Sequence, residues 1–292
     1  MLPERQTTYG WPIAIEMFLA GIGGGAFLIS LILDLMGKYE SVAEIGTLLG
    51  PVLVLVGTFF LLAELGRRTR FYRLFISLSS PSSWISRGTW ILTIFIILGL
   101  AYSLPSFWLL EWKFSGIGQG IGIAAGLFSV LVVIYPGLFF GVVKGVPLWN
   151  TPILPFLFLF SSLCTGIAAL FLTALFSEAT LGIADFHQLG AAGIALIFML
   201  LLALGIYLDI TRHQGLAAME SLRLLKTPLF IGGAITIGLL VPLGLLIYGV
   251  FVGDTLILST LTGAGSMCLL AGGLFLRYGI IRAGVHLPLH QA

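Results

Sequence analysis

The amino-acid sequence predicts an all-α integral membrane protein with eight transmembrane helices. Of its 292 residues, 59% are apolar and only 9% are charged, whereas a soluble domain carries about 25% charged residues. Eight apolar runs are each long enough to cross the hydrocarbon core, which takes about 20 residues as a helix. A protein of this composition cannot cover itself with a polar surface, so lipid must form part of its solvent.

The eight runs are separated by segments that carry turn residues or charges, such as "DLMGKYES", "GRRTRFYRLFISLSSPSSW", "KGVPLWNTP" and "TRHQGLAAMESLRLLKTP". The first run is too long for the apolar region of a signal peptide and lacks a cleavage site, so we expect it to remain as the first helix. The runs are 12–34, 45–65, 89–110, 118–143, 153–176, 186–209, 228–251 and 257–282.

Small residues on the first run predict a smooth helix face. Ala20 and Gly24, and likewise Gly21 and Gly25, are spaced by four residues and therefore lie one above the other on a helix. Such a face lets a second helix approach closely inside a membrane, and the 38 glycines of the protein suit close helix packing in general.

The distribution of basic residues predicts the orientation. Eight helices put both termini on one side, called the N-side here, and 12 of the 14 basic residues lie there, leaving Lys38 and Lys113 opposite. Because basic loops stay in the cytoplasm, the pattern predicts cytoplasmic termini in the cytoplasmic (inner) membrane. The twelve are Arg5, Arg67, Arg68, Arg70, Arg73, Arg87, Lys144, Arg212, Arg223, Lys226, Arg277 and Arg282.

The longest polar connection, residues 66–88, carries five of these arginines together with aromatic residues and a Ser/Pro cluster. One interpretation is a loop that sets topology at the lipid headgroups. The other is a docking surface for an acidic or soluble partner on the N-side. The two interpretations are compatible.

Two polar residues inside apolar runs are candidates for function. Glu16 lies about one turn inside the first run, and an ionisable group in a bilayer suggests a function by default. Tyr135 lies in the fourth run, directly before Pro136, which frees a carbonyl and kinks the helix. A kink there can open a pocket beside the tyrosine, at a depth compatible with that of Glu16.

Other polar residues fit structural roles as well as functional ones. Glu64 precedes Arg68 by four residues, a spacing that favours an ion pair, so a structural and a functional role are equally open. The histidines lie in loops, in the tail or near a helix end, which speaks against an intramembrane haem. The two cysteines form no CxxC pair, so no metal or iron–sulfur site is expected.

Four ordered motifs resemble the NrfD/PsrC family, the integral membrane subunits of polysulfide-reductase-like complexes. The resemblance covers essentially the whole sequence. The motifs are "GWPIAIEMFLAGIGGGA", "ELGRRTRFYRLFISLSSPSSWISRGTWILT", "YPGLFFGVVKGVPLWNTPILPFLFLFSSLCTG" and "LAGGLFLRYGIIRAGV".

The resemblance implies two four-helix bundles, here residues 1–145, with a quinone pocket, and residues 146–292. It implies electron exchange between membrane quinone (menaquinone or ubiquinone) and a four-cluster iron–sulfur subunit. That subunit commonly connects to a molybdopterin catalytic subunit or another redox module. Family members usually carry no haem, and the terminal catalytic centre lies outside this polypeptide.

The family's pocket uses polar residues early in the first helix and a tyrosine in the fourth, which correspond to Glu16 and Tyr135 here. Glu64 and Arg67 are further candidates for the quinone site. Arg67 and the loop to Trp84 look like the docking region for the iron–sulfur subunit. In well-known members the partners face the exterior, whereas the charge pattern here predicts cytoplasmic partners. Nucleic acid is not expected as a partner.

The predicted role of Glu16 is to exchange protons with quinone while Tyr135 donates a hydrogen bond. Two other classes remain open. A transporter is one, since transporters show related halves and broken helices around a midplane site. A purely structural anchor is the other, in which Glu16 pairs with Arg67 or Arg87.

Overall fold

The computed structural model describes residues 4–6, 9–64, 84–108, 112–176 and 183–286. Its α-helices are α1 (Trp11–Leu35), α2 (Glu40–Glu64), α3 (Trp84–Ser103), α4 (Gly116–Gly141), α5 (Leu154–Phe176), α6 (Ile183–Arg212), α7 (Leu216–Leu225), α8 (Val241–Gly249) and α9 (Thr255–Arg282). A π-helical segment (Leu229–Leu240) runs directly into α8. Short 3₁₀ turns cover Leu104–Phe107 and Trp112–Phe114, and the strands are β1 (Glu4–Arg5) and β2 (Val285–His286).

Within these residues, eight helices are long and apolar enough to cross a membrane. They are α1 to α6, the π-helical segment joined to α8, and α9, and they correspond to the eight apolar runs. The predicted fold class, an all-α integral membrane protein, is therefore confirmed. The segment between the sixth and seventh runs also holds α7, a short helix that the hydrophobic runs did not predict.

The helices pack in two rings that share a boundary. In the first ring α1 contacts α2 and α4, and α3 contacts both of these; in the second, α5 contacts α6 and α9, and α8 contacts both of these. The boundary is itself well packed, since α5 contacts α1 and α4. One apolar core cluster draws residues from both sides of it, including Met17, Phe140 and Leu157. The division at residue 145 into two bundles stays a prediction.

Helix α1 is central because its glycines let neighbouring backbones approach. A Cβ built on Gly166 of α5 would lie 2.9 Å from the Cα of Gly25, and one on Gly24 would overlap Val133 of α4. The face predicted from the four-residue spacing of the glycines thus meets α5 through Gly25 and α4 through Gly24. Such close approach leaves no room for a larger side chain at these points.

The two ends of the described structure meet on the N-side. β1 and β2 pair antiparallel, with Glu4 opposite His286. Gln6 is buried, and its Nε2 donates to the backbone oxygens of Tyr9 and Ile281, each at 3.0 Å. These bonds fix the segment that leads into α1 and hold Tyr9 against the helices.

One of the basic residues counted on the N-side is buried among the helices. Arg277 is only 1% exposed, and its guanidinium donates to Ser161 Oγ (3.0 Å), Ser162 Oγ (2.9 Å) and the Gly273 carbonyl (3.0 Å). It is therefore a packing residue between α9 and α5 and not a loop charge. The excess of basic residues on the N-side persists without it.

Candidate functional site

A cavity of about 380 Å³ lies at the N-side end of the first helix ring. Helices α1 to α4 all contribute to its wall, and so does the segment before α1. Its wall is mainly apolar, with a few polar side chains. The lining residues are Tyr9, Ile13, Glu16, Met17, Leu61, Ile85, Gly88, Thr89, Leu92, Tyr135, Pro136, Phe139 and Phe140.

Glu16 contributes an acid to this wall. Helix α1 begins at Trp11, with Pro12 in its first turn, so Glu16 lies just over one turn inside the helix. Its side chain is only 8% exposed. Among the described residues it takes part in none of the ion pairs or side-chain hydrogen bonds. A carboxyl group that is buried without a partner is costly, which makes it available to a ligand.

In the structural-anchor alternative, Glu16 pairs with either Arg67 or Arg87. Arg67 lies outside the described residues. Arg87 is exposed and holds its guanidinium over the Trp84 ring, 4.9 Å from the ring centre. This contact directs the Arg87 side chain toward the start of α3, and Arg87 does not line the cavity wall in which Glu16 lies.

Tyr135 faces the same cavity from α4. Its hydroxyl donates a hydrogen bond to the backbone oxygen of Trp84, 2.9 Å away, at the start of α3. Gly88 lies against its ring, where a Cβ would overlap the tyrosine. Pro136 also lines the cavity, while the kink expected at this proline stays a prediction. The structure thus brings Glu16 and Tyr135 into one wall, while their roles stay predictions.

Two further polar residues in the wall escaped the sequence analysis. Tyr9 packs edge-on against Phe140, with ring centres 5.7 Å apart, and its hydroxyl forms no hydrogen bond with the described residues. Thr89 lies in α3, where its hydroxyl donates to the Ile85 carbonyl (3.0 Å). Tyr9 precedes the first apolar run, so hydrophobic periodicity carries no signal for it. The i,i+4 bond of Thr89 is also typical of ordinary membrane helices.

The remaining predicted site residues cannot be placed in the cavity. Glu64 is the last residue of α2, and its side chain lies outside the described residues, as do Arg67 and the predicted pairing partner Arg68. Leu61, one turn before Glu64, is the residue of α2 that lines the wall. Most of the predicted docking loop, from residue 66 to residue 83, also lies outside them.

The cavity reaches the outer surface of the described helices between α2 and α3. Ile85 lies in the wall and is nevertheless 49% exposed, and Leu61 and Thr89 beside it are half-buried. These residues belong to membrane-spanning segments or their ends.

Two of the described histidines contact polar groups close to the ends of helices. Nε2 of His187 lies 3.1 Å from the Gly249 carbonyl, at the membrane face opposite the N-side. Nε2 of His213 lies 3.7 Å from an Asp209 carboxylate oxygen on the N-side. Within the described part of the protein, no group of three or more His, Cys, Asp and Glu side chains is arranged to hold a metal ion.

These observations define a class of protein. It is a helical membrane protein whose described residues form eight spans, with a cavity among the first four helices that is mainly apolar and carries a few polar side chains. The sequence matches the model of the family described as polysulphide reductase, NrfD, over residues 3–288, and the protein belongs to that family. The resemblance inferred from the four motifs is thereby confirmed.

Three curated relatives agree with this assignment. The C subunit of polysulfide reductase from Wolinella succinogenes is 30% identical over 192 residues, which cover 59% of this protein and 60% of the relative. Protein NrfD of Escherichia coli is 26% identical over 183 residues, covering 55% and 57%. The NrfD homolog of Haemophilus influenzae is 27% identical over 205 residues, covering 62% of each protein. The match thus spans less than two thirds of each relative's length.

Proposed function

We propose that this protein is the quinone-reactive membrane subunit of a multi-subunit oxidoreductase and passes electrons between membrane quinone and an iron–sulfur partner subunit. The observation that carries the proposal is the cavity that Glu16 and Tyr135 line together. The family supports the same function, because two relatives in it bear the names of a polysulfide reductase subunit and of NrfD.

The residues of the cavity fit a quinone. Its volume of about 380 Å³ lies in the range of small-molecule sites, about 300–1,000 Å³. Phe139, Phe140 and Leu92 offer apolar surface for a ring and tail, and Ile85, which lines the cavity and is exposed, marks the side from which a ligand would enter.

Bound quinone supplies a two-electron, two-proton redox couple. Glu16 exchanges the protons, because its carboxyl group is buried in the wall without a partner among the described residues. The Tyr135 hydroxyl turns from the Trp84 carbonyl to donate to one oxygen of the ligand. Tyr9, whose hydroxyl has no hydrogen-bond partner among the described residues, donates to the other.

The partner docks on the N-side through the loop 66–88. Support comes from the site itself, because the Tyr135 hydroxyl bonds to Trp84 near the end of this loop. The iron–sulfur subunit then lies within a short distance of the cavity and connects to a further catalytic subunit, of the molybdopterin type or another redox module. The charge pattern supports the cytoplasmic side for this assembly. Glu64 and Arg67 stay further candidates for the quinone site.

The test compares two substitutions of a glutamate by its neutral isostere. Glu16→Gln removes the proton-exchanging group, and we expect it to abolish quinone-coupled turnover while the complex still assembles. Glu44→Gln is the matched control, because Glu44 lies half-buried in α2 toward the opposite membrane face and does not line the cavity. The control should keep its turnover. Normal turnover of the Glu16 variant with added quinone would remove Glu16 from the mechanism.

The function as a whole has its own test, which is the composition of the complex purified gently from its native membrane. Co-purifying iron–sulfur and catalytic redox subunits support the proposal. A lone polypeptide that binds a solute would point to a transporter instead. An assembled complex whose membrane subunit binds neither quinone nor a quinone-site inhibitor would make it a structural anchor.

A further inference from the structure

A second cavity, of about 790 Å³, lies on the N-side in the other half of the molecule. It is bounded by the end of α6, the short helix α7 and the start of the π-helical segment. It shares no lining residue with the cavity that holds Glu16. We call it the α7 groove.

The polar rim of the α7 groove is basic. Arg212, Arg223 and Lys226 all line it and are all exposed. None of the three side chains forms an ion pair or a hydrogen bond with the described residues. The one acid in the wall, Asp209, lies 3.7 Å from a nitrogen of His213. The groove therefore offers three positive charges against one negative charge.

The rest of the groove is apolar and extends into the membrane. Ile231 and Ile235 belong to the span Leu229–Gly249, and Ile231 is 46% exposed. Phe230 is buried beneath them at 3% exposure. The cations thus stand at the end of a membrane span, and an apolar wall continues from them toward the bilayer interior.

Helix α7 has the composition of a helix that lies in the headgroup layer. Its outward positions are Leu216 (82% exposed), Met219 (54% exposed) and Arg223, and Lys226 follows one turn later. Exposed apolar side chains at the end of a membrane span can enter the acyl boundary, while the long Arg223 and Lys226 side chains reach toward the lipid phosphates.

We propose that the α7 groove is a binding site for an anionic phospholipid. The phosphate group contacts Arg212, Arg223 and Lys226, and an acyl chain lies along Ile231 and Ile235. Basic pockets between membrane helices on the cytoplasmic side suit such headgroups. An acidic protein partner fits less well, because a soluble surface cannot follow the apolar wall into the membrane span.

The experiment measures lipid retention by native mass spectrometry of the full-length protein, purified with any subunits that accompany it and released from nanodiscs of phosphatidylglycerol and phosphatidylcholine. The groove variant is Arg223→Gln/Lys226→Gln. The matched control, Lys144→Gln/Arg282→Gln, removes two exposed N-side charges that do not line the groove. Each cation near a headgroup contributes about 1 kcal/mol, so the groove variant should hold phosphatidylglycerol about 30-fold more weakly. The control should match the wild type.

Ile231→Asp tests the apolar wall separately, because it leaves the three cations in place; it should also lose the bound lipid. Glycerol phosphate, which is the headgroup without acyl chains, should not compete at concentrations where phosphatidylglycerol does. Equal lipid retention by the groove variant and the wild type would overturn the proposal, and so would equal loss in the control. Competition by glycerol phosphate at the same concentrations as phosphatidylglycerol would overturn the proposal as well. Loss of a protein subunit with the lipid still bound would reassign the groove to a protein partner.

Discussion

Gly166→Ala should loosen the joint between the two helix rings. Its Cβ would lie 2.5 Å from the Ala26 nitrogen and 2.9 Å from the Gly25 Cα, whereas contacting carbon atoms prefer about 3.5–4.0 Å. The atoms it meets most closely belong to the backbone, so no side chain can move aside to make room. Helices α1 and α5 must therefore separate by about 1 Å at this point.

The cost follows from that separation. Overpacking in a close-packed interior costs about 1–3 kcal/mol, and inside a membrane no hydrophobic driving force offsets the lost contacts. We expect the free energy of unfolding to fall by about 2 kcal/mol, which is roughly 30-fold in the unfolding equilibrium. Unfolding by sodium dodecyl sulfate from mixed micelles, followed by tryptophan fluorescence, measures this change.

Gly205→Ala is the control, because nothing outside α6 lies within 4 Å of a Cβ at Gly205. Alanine favours a helix over glycine by up to about 1 kcal/mol, so this variant should be neutral or slightly more stable. If Gly166→Ala and Gly205→Ala differ by less than about 0.5 kcal/mol, the backbone contact does not constrain the joint, and the reasoning fails.

Two further predictions concern single hydrogen-bonded groups. Tyr135→Phe removes the donor to the Trp84 carbonyl. It should lower the free energy of unfolding by about 1 kcal/mol and weaken quinone binding, measured by titration of the purified complex. Unchanged quinone affinity would exclude Tyr135 as a group that binds quinone. Asp34→Asn removes the ion pair with Lys113 (3.2 Å) and weakens the bond from Tyr102. The unfolding free energy should then fall by about 2 kcal/mol, and a double-mutant cycle with Lys113→Met that shows no coupling would contradict the ion pair.

The membrane spans could be predicted from sequence because each is a continuous apolar run between charged or turn-forming segments. Helix α7 was missed because its ten residues fall below the length of a span and mix apolar with charged groups. Glu16 and Tyr135 were found because an acid and a Tyr-Pro pair are conspicuous inside such runs. Their common cavity depends on how four helices pack, which periodicity does not encode.

Two features could not be predicted from the sequence for one physical reason, which is contact between residues far apart in the sequence. Tyr9 was overlooked because its place in the cavity wall depends on Gln6, which bonds to Ile281 near the other end of the protein. Arg277 is counted on the N-side because it lies near that end of its helix, but its burial could not be predicted. Its burial depends on Ser161 and Ser162 of α5, more than a hundred positions earlier.

The hydrogen bond from Tyr135 to Trp84 also has a thermodynamic consequence. A ligand that receives the Tyr135 proton must release the carbonyl of Trp84, the first residue of α3, where the connection from α2 ends. A ligand in the cavity and a partner that holds Trp84 in place are then coupled, because both depend on the same hydrogen bond. Linkage is reciprocal, so each event changes the affinity of the other by the same factor, about fivefold for a bond of about 1 kcal/mol. A partner that fixed Trp84 would therefore be coupled to the cavity through this one bond.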